Sequence, residues 1–328
     1  MESLPDLAGR LSDRRLWFVT VAGIIFFFLL AQTVNWTGVW RHLESPRLEW
    51  LLAALFFNTL VFAVKIAKWQ RMLGMQSIRT RFFEAAKSFL IGFAFGMVTP
   101  ARVGELGRIF FFTTDRGRAL VAVIADRLMD IIILAIVGLA GIAGVLALLA
   151  QEPIFFLGAT GALMGALALA CVLLSPKGMD YSARIILGVL PAVVLERSGV
   201  QKKDVLDGIR SFWNRPFQVI SIAGMACIGW GFSIASGLCL LQALRIDVPM
   251  ALGIVSIPVI GMADVVPLSL SGIGTRETAL SAVFVGTGFV AESAIAFSIA
   301  YFFIAYVITA IVGFAWWAVS ALAQETRT

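Results

Sequence analysis

Charged residues are scarce in this sequence. Only 14% of its 328 residues are Asp, Glu, Lys or Arg, whereas about 25% is usual in soluble domains. Hydrophobic residues make up 60% of the chain. These proportions exclude a soluble enzyme, a disordered chain and a small domain held together by disulfides.

Histidine and cysteine are also rare. The single histidine, His42, stands beside Trp40 and Arg41, which excludes a catalytic or zinc site built from histidines. The three cysteines fall within apolar runs and lack the spacing of a disulfide framework or a metal site: Cys171, Cys227 and Cys239. We therefore expect neither a metal nor a cofactor.

Long apolar runs are what the sequence has in abundance. A helix needs roughly 20 apolar residues to span a bilayer, so this length allows about six to nine spans. We predict one all-α integral membrane domain over residues 1–328, a polytopic helix bundle with about six full spans. The six runs assigned to these spans are 16–36, 50–68, 119–149, 154–174, 217–244 and 293–323.

The basic residues predict the orientation of these spans. The net charge is +6, and most Lys and Arg residues cluster in the loops 65–87 and 175–216, which the positive-inside rule places in the cytoplasm. The loops 151–153 and 286–292 contain no Lys or Arg and are expected outside. We predict a protein of the cell inner (cytoplasmic) membrane with both termini cytoplasmic. Membrane lipids, and not nucleic acid, are the expected partners of its basic residues.

The residues on either side of the first run allow two further predictions, one for the N-terminus and one for the segment that follows the run. Arg10, Arg14 and Arg15 precede it, which indicates an uncleaved signal anchor. A short polar turn is predicted after it, over residues 41–47.

Two segments read as broken helices. Residues 88–99 are too short to span, stop at Thr99-Pro100 and return to a basic loop, which predicts a re-entrant hairpin. The region 250–285, interrupted by Pro258 and Pro267, predicts a second one. Either hairpin could instead be a full pair of spans. The spacings of Gly92 and Gly96 and of Gly161 and Gly165 predict close helix packing.

The two halves of the chain show the same order of elements. Residues 16–149 and 154–323 each give a span, a span, a hairpin and a span, in opposite orientations. Such an inverted repeat is typical of transporters whose substrate sites form at discontinuous helices.

The first break contains three candidate binding residues, Arg102, Glu105 and Arg108. Thr99 is a good N-cap and Pro100 a good first helical residue, and a helix start beside an arginine attracts phosphate. Because Arg102 and Glu105 lie three residues apart, they can pair on one helix face. Two interpretations stay open: a self-contained pair that stabilises the hairpin, or an arginine presented to an anion.

The second break contains five candidate binding residues: Gly272, Gly274, Thr275, Arg276 and Glu277. Its glycines permit positive φ angles and close approach of the backbone. The charged pair opens the half-helix that follows. Two such turns at matching places in opposed halves favour a shared substrate site.

Acidic residues inside apolar runs are functional candidates because a bilayer disfavours charge. Asp126 and Asp130 lie four residues apart and need a cation between them, for which Arg127, Arg102 and Arg276 are the candidates. A structural ion pair and a role in substrate binding or proton coupling both stay open.

Three further positions are weighed as candidates. Asp264 is an isolated acid, either the cap of a broken helix or a functional group. Asn58 and Lys65 are weaker candidates, and Lys65 is expected to extend its ammonium group to the membrane interface.

Three segments together, TPARVGELGR, ADRLMD and SGIGTRETAL, resemble the lysylphosphatidylglycerol synthase transmembrane region, also called the flippase-like domain family. The resemblance covers nearly the whole chain and implies lipid translocation. Members that make aminoacylated lipid carry a soluble synthase domain after this region. Because this sequence stops at Thr328, we expect no synthase activity.

The leading hypothesis is a flippase for a phosphate-bearing lipid, whether aminoacylated, glycosylated or polyprenyl. In it, Arg102 and Arg276 hold the phosphate of the anionic or lipid-linked substrate, and the acidic residues balance charge or carry protons. A membrane-embedded transferase and an accessory subunit of an envelope-lipid biosynthetic enzyme are the alternatives.

Overall fold

A computed structural model describes residues 34–112, 115–150, 215–265 and 272–325, together with a few isolated positions. Every regular element within these ranges is helical, which confirms the predicted all-α class. The predicted spans 16–36 and 154–174 and most of the loop 175–216 lie outside the described residues.

Five helical segments form the first half of the described chain. They are α1 (Trp36–Glu44), α2 (Leu48–Met75), α3 (Phe82–Met97), a 3₁₀ segment (Pro100–Phe111) and α4 (Arg116–Ala150). The predicted polar turn over 41–47 is wrong for its first part, which is helical. The side-chain oxygen of Asn35 caps that helix by accepting a hydrogen bond from the N–H of Gly38 at 3.4 Å.

The second half is also helical. Its elements are α5 (Pro216–Ala243), α6 (Met250–Val265), α7 (Thr275–Gly286), α8 (Ala291–Phe302) and α9 (Ile308–Glu325). A π turn, Phe303–Val307, joins α8 to α9 without a break.

Three helices in the described ranges are long and apolar enough to cross a membrane: Leu48–Met75, Phe217–Ala243 and Ala291–Leu322. They coincide with three of the predicted runs, and the chain is a multi-pass membrane protein by this measure. The total of six spans and the membrane depth of the hairpins stay predictions.

The C-terminal end of helix α2 lies further along the chain than the sequence predicts. The predicted span ended at residue 68 and the loop began at residue 65, but the helix continues to Met75. No Gly or Pro interrupts the chain from Leu48 to Leu73, so nothing in the backbone stops the helix earlier. Lys65 and Lys68 therefore belong to a helix and not to a loop.

Two pairs of elements repeat in length along the chain. Helices α2 and α5 have 28 residues each, and the 3₁₀ segment and α7 have 12 residues each. The order of a long helix, a shorter helix, a 12-residue element and a long helical stretch is the same from α2 to α4 and from α5 to α9.

Packing between the halves is reciprocal in the same way. Helices α2 and α5 pack against each other, α3 packs against α9, and α6 packs against α4. In these three contacts the halves exchange roles, since the packing of α3 on α9 corresponds to that of α6 on α4 and α2 packs on its own counterpart, α5.

The 3₁₀ segment folds back along α3 to form the first hairpin. A Cβ atom added at Gly92 would overlap the side chain of Arg108, and one added at Gly96 would overlap Glu105. A Cβ at Gly104 would overlap the carbonyl oxygen of Phe95. Close packing at Gly92 and Gly96 is confirmed, and it makes room for charged side chains.

The substitution Gly104→Ala tests this hairpin. Because the added methyl group would overlap backbone, which cannot rotate aside, we expect a loss of about 1–3 kcal/mol in the free energy of unfolding. The measurement is the melting temperature of the purified protein in detergent. Gly107→Ala is the matched control, since a Cβ there meets no described atom within 4 Å. Equal melting temperatures for the two variants would contradict the packing.

Candidate functional site

Charged side chains from α2, the 3₁₀ segment, α4, α6 and α7 come together inside the helix bundle. We call this set the charged core: Lys65, Lys68, Arg102, Glu105, Arg108, Asp126, Arg127, Asp130, Asp264, Arg276 and Glu277. Several members have almost no exposed surface, with 1% for Lys68, 2% for Arg108 and 0% for Arg276. Charges buried this deeply are tolerated only when they are compensated.

Lys68 supplies the cation that Asp126 and Asp130 require. Its Nζ atom lies 2.8 Å from the carboxylate of Asp126 and 2.5 Å from that of Asp130. The expectation that Arg127, Arg102 or Arg276 fills this place is wrong. The reason is the length of α2, which carries the lysine past the predicted end of the helix and into the bundle.

Arg108 connects the first hairpin to α4. Its guanidinium lies 2.5 Å from Glu105 and 3.2 Å from Asp126. It also lies over the rings of Phe89 and Trp69, at 4.1 and 5.4 Å from their centroids. Two carboxylates and two aromatic faces therefore compensate one buried arginine.

Glu105 is shared among three arginines. Arg108 and Arg127 both contact its carboxylate directly, whereas Arg102 is 3.8 Å away. The predicted pair of Arg102 and Glu105 therefore exists, but it is not self-contained. Because of this distance, the guanidinium of Arg102 is available to other partners. The backbone of Arg102 has a φ angle of +55°, which is a strained value for a residue with a side chain.

Asp264 joins the two hairpins. Its carboxylate lies 3.7 Å from Arg102 of the first hairpin and 3.5 Å from Arg276 of the second. The hydroxyl group of Tyr306 donates a hydrogen bond to it. The ring of Tyr306 also faces both guanidiniums, at 4.8 and 5.1 Å. The acid that looked isolated in the sequence is thus the meeting point of three elements.

The guanidinium of Arg276 is buried and makes no hydrogen bond to a described residue. No described residue accepts a hydrogen bond from any of its three guanidinium nitrogens. Its nearest carboxylate is Asp264 at 3.5 Å, and its other close neighbour is the ring of Phe302 at 4.5 Å. Buried polar groups are normally hydrogen-bonded, so an arginine in this state is prepared for a further acceptor.

The rest of the second break shapes the turn. Gly272 has a φ angle of +77°, and a Cβ there would overlap the carboxylate of Asp264. Gly274 has a φ angle of +89°. The carboxylate of Glu277 accepts hydrogen bonds from the Gly274 N–H at 2.6 Å and from the Ser298 hydroxyl at 2.8 Å. The Thr275 hydroxyl donates to the carbonyl of Gly272 at 3.0 Å.

Glu277 and Thr275 therefore hold the start of α7 in place, and the described contacts do not join them to Asp264. Free amide groups at the two breaks were expected to attract an anion. One amide at each break is already bonded, since the Gly104 N–H donates to the Thr99 hydroxyl at 2.7 Å and the Gly274 N–H donates to Glu277. Among the described side chains, guanidinium nitrogens of Arg102 and Arg276 are buried without a hydrogen-bond acceptor.

A cavity of about 50 Å³ lies against the charged core. Its wall includes Lys65, Arg102, Tyr301 and Tyr306. Lys65 lines this cavity, and its predicted extension to the membrane interface stays a prediction. The volume suits about three or four water molecules.

Asn58 holds the helix that carries Tyr306. Its side-chain amide donates a hydrogen bond of 3.0 Å to the carbonyl of Ile304, inside the π turn. A π turn leaves backbone groups without their usual helical partners, and such turns are frequent at functional sites. The weak sequence candidate is thus a support of the site.

Sequence reasoning missed two members of the site, Lys68 and Tyr306. For Lys68 a signal existed, since uninterrupted helical sequence precedes it and two acids on another helix lacked a cation. For Tyr306 no local pattern pointed to the site, because its partners come from distant segments.

The substitution Lys68→Met tests the pairing in the core. It removes the shared cation from two buried carboxylates, so we expect a loss of about 3–5 kcal/mol in the free energy of unfolding. The double variant Lys68→Met/Asp130→Asn removes one charge of each sign and should recover most of that loss. Thermal melting in detergent measures both, and a double variant no more stable than the single one would contradict the pairing.

A comparison with curated proteins finds no match. A family model described as the lysylphosphatidylglycerol synthase TM region matches residues 16–313. That range includes both hairpins and every member of the charged core, and it points to a lipid-related function in a membrane. The chain therefore belongs to the family of the lysylphosphatidylglycerol synthase TM region.

Proposed function

We propose that the protein is a flippase, which moves a phosphate-bearing lipid between the two leaflets of the cytoplasmic membrane. The observation that supports this most is the pair of arginines on opposite hairpins. Arg102 and Arg276 flank one carboxylate, that of Asp264, at 3.7 and 3.5 Å. Neither distance is a hydrogen bond, so both guanidiniums have capacity for a better acceptor.

A phosphate group fits this place by its chemistry. Arginine donors form charge-assisted hydrogen bonds to phosphate oxygens, often two at a time. On this proposal the substrate phosphate replaces Asp264 between the two guanidiniums, and Asp264 stays bonded to Tyr306. In the absence of lipid, the carboxylate compensates the same two cations.

The remaining charged residues hold together the helices that form the site. Lys68 with its two carboxylates fixes α2 to α4, and Arg108 fixes the 3₁₀ segment to α4 through Asp126. These short contacts leave few donors open. They keep the arginine of the first hairpin in place while its phosphate partner changes.

Transport requires a change of conformation. A cavity of about 50 Å³ is far smaller than the several hundred cubic ångströms that a lipid headgroup occupies in a binding pocket. Three features can accommodate the change: a 3₁₀ segment of 12 residues, the π turn before α9, and Pro258 inside α6. A 3₁₀ helix of this length is unusual and marks a segment that can rearrange.

The repeated helix lengths support the same proposal. Four consecutive elements follow the same order in each half, two pairs of them agree in length, and the packing of α3 on α9 has its counterpart in that of α6 on α4, as an inverted repeat from 16–149 and 154–323 would require. Transporters with such repeats bind substrate where the two halves meet and expose it alternately to each side. With basic loops inside, both termini are cytoplasmic. No covalent bond of the lipid is made or broken.

The substitution Arg276→Gln tests the proposal. The protein is reconstituted into vesicles that contain phosphatidylglycerol labelled with a fluorophore on its acyl chain. Loss of fluorescence to a reductant that cannot cross the membrane reports transport to the outer leaflet. We expect the rate to fall at least about tenfold, because one of two phosphate ligands is lost.

The control for this variant is Arg118→Gln. Arg118 is 54% exposed and lies 3.8 Å from Asp115, outside the charged core, so its variant should keep the wild-type rate. The transport rate of Arg276→Gln is compared only after its melting temperature shows that the variant is folded, because the substitution removes a buried partner of Asp264. Wild-type vesicles that transport no faster than protein-free vesicles would reject the proposal.

A further inference from the structure

We propose that Lys65 makes the site selective for lipids whose headgroup carries a single negative charge, such as a phosphodiester without an amine. This inference rests on the proposed function, since it names the substrate class that the same site takes. It is carried by the charge count of the core and by the position of Lys65 in the cavity wall.

The charged core contains one more cation than it has anions. Six of its members are basic: Lys65, Lys68, Arg102, Arg108, Arg127 and Arg276. Five are acidic: Glu105, Asp126, Asp130, Asp264 and Glu277. The difference leaves one positive charge among helices that are otherwise apolar at this depth.

Lys65 is a basic member of the core that has no ion-pair partner among the described residues. Lys68, almost one helical turn further on, pairs with both Asp126 and Asp130. Asp130 borders a pocket that Lys65 also lines, but it is not within ion-pair distance of the Lys65 ammonium group. The ring of Phe62 lies 6.0 Å from Nζ. The ammonium group is therefore available to a ligand.

The ammonium group of Lys65 and the guanidinium of Arg102 share a cavity. Both side chains line the space of about 50 Å³ that also touches Tyr301 and Tyr306. A phosphate held between Arg102 and Arg276 would lie beside this wall. Lys65 would then contribute the charge that balances the added anion.

Charge balance decides which headgroups fit. In a poorly solvated site the interaction between charges is strong, and an unbalanced charge is costly. A headgroup of charge −1 brings the core to neutrality. A zwitterionic headgroup leaves the excess cation unpaired, and its own amine adds a second cation close to Lys65.

Native mass spectrometry of the purified full chain tests this inference. The protein is mixed with equal amounts of phosphatidylglycerol, which is singly negative, and phosphatidylethanolamine, which is zwitterionic, with identical acyl chains. We expect about a tenfold preference for phosphatidylglycerol in the wild type. Lys65→Gln should abolish the preference, and Lys65→Arg should keep it.

Two further variants separate charge balance from other effects. Lys65→Gln/Asp130→Asn has the wild-type excess of one cation on the same side of the core, so it should regain the preference. Arg79→Gln removes an exposed basic residue outside the core and should keep it. Melting temperatures show that each variant is folded before its binding is compared.

The outcomes distinguish this inference from the proposed function. Preference retained in folded Lys65→Gln, or lost equally in Arg79→Gln, would overturn the role of Lys65. Transport of both lipids at equal rates would also overturn it and would leave the flippase proposal intact. Selective binding without transport in vesicles would reject the flippase proposal alone.

Discussion

Compensation of buried charge constrains how the helices of this protein pack. Lys68 and Arg108 have almost no exposed surface, so each must meet a carboxylate from another element, Asp126 in both cases. These contacts fix α2 and the first hairpin against α4. The glycines of α3 belong to the same requirement, because only a residue without a side chain lets Arg108 and Glu105 lie so close to that helix. In this protein, the packing of the helices and the pairing of the buried charges therefore depend on each other.

The buried charged groups differ in how closely they are paired. The contacts around Lys68 and Arg108 are short and share several partners, as expected of groups that maintain structure. The ion pairs of Asp264 are longer, and Arg276 has no hydrogen bond within the described chain. On the proposed function, the closely paired groups hold the helices together while the groups around Asp264 exchange a partner.

The sequence predicts the helical class, three of the long helices and most of the charged residues that meet in the core. It predicts them because a bilayer makes both apolar length and buried charge conspicuous. The end of α2 was misplaced because Lys65 and Lys68 resemble the start of a basic loop, and only an acidic partner elsewhere explains their burial. The 3₁₀ form of residues 100–111 was not predictable, since Thr99-Pro100 begins an α-helix equally well. The partners of Tyr306 depend on contacts between distant segments, which no local pattern encodes.

The π turn before α9 has an effect beyond the residues it contains. Such a turn widens one helical turn by about one residue, which rotates everything after it by roughly 100° relative to an uninterrupted α-helix. Helix α9 lies against α3, and Gly313 approaches the backbone of Leu90 so closely that a Cβ atom would overlap it. That glycine would face elsewhere if the turn were regular. The π turn thus determines which face of α9 is turned toward α3. The contact between α9 and the first hairpin therefore depends on one additional residue in the turn.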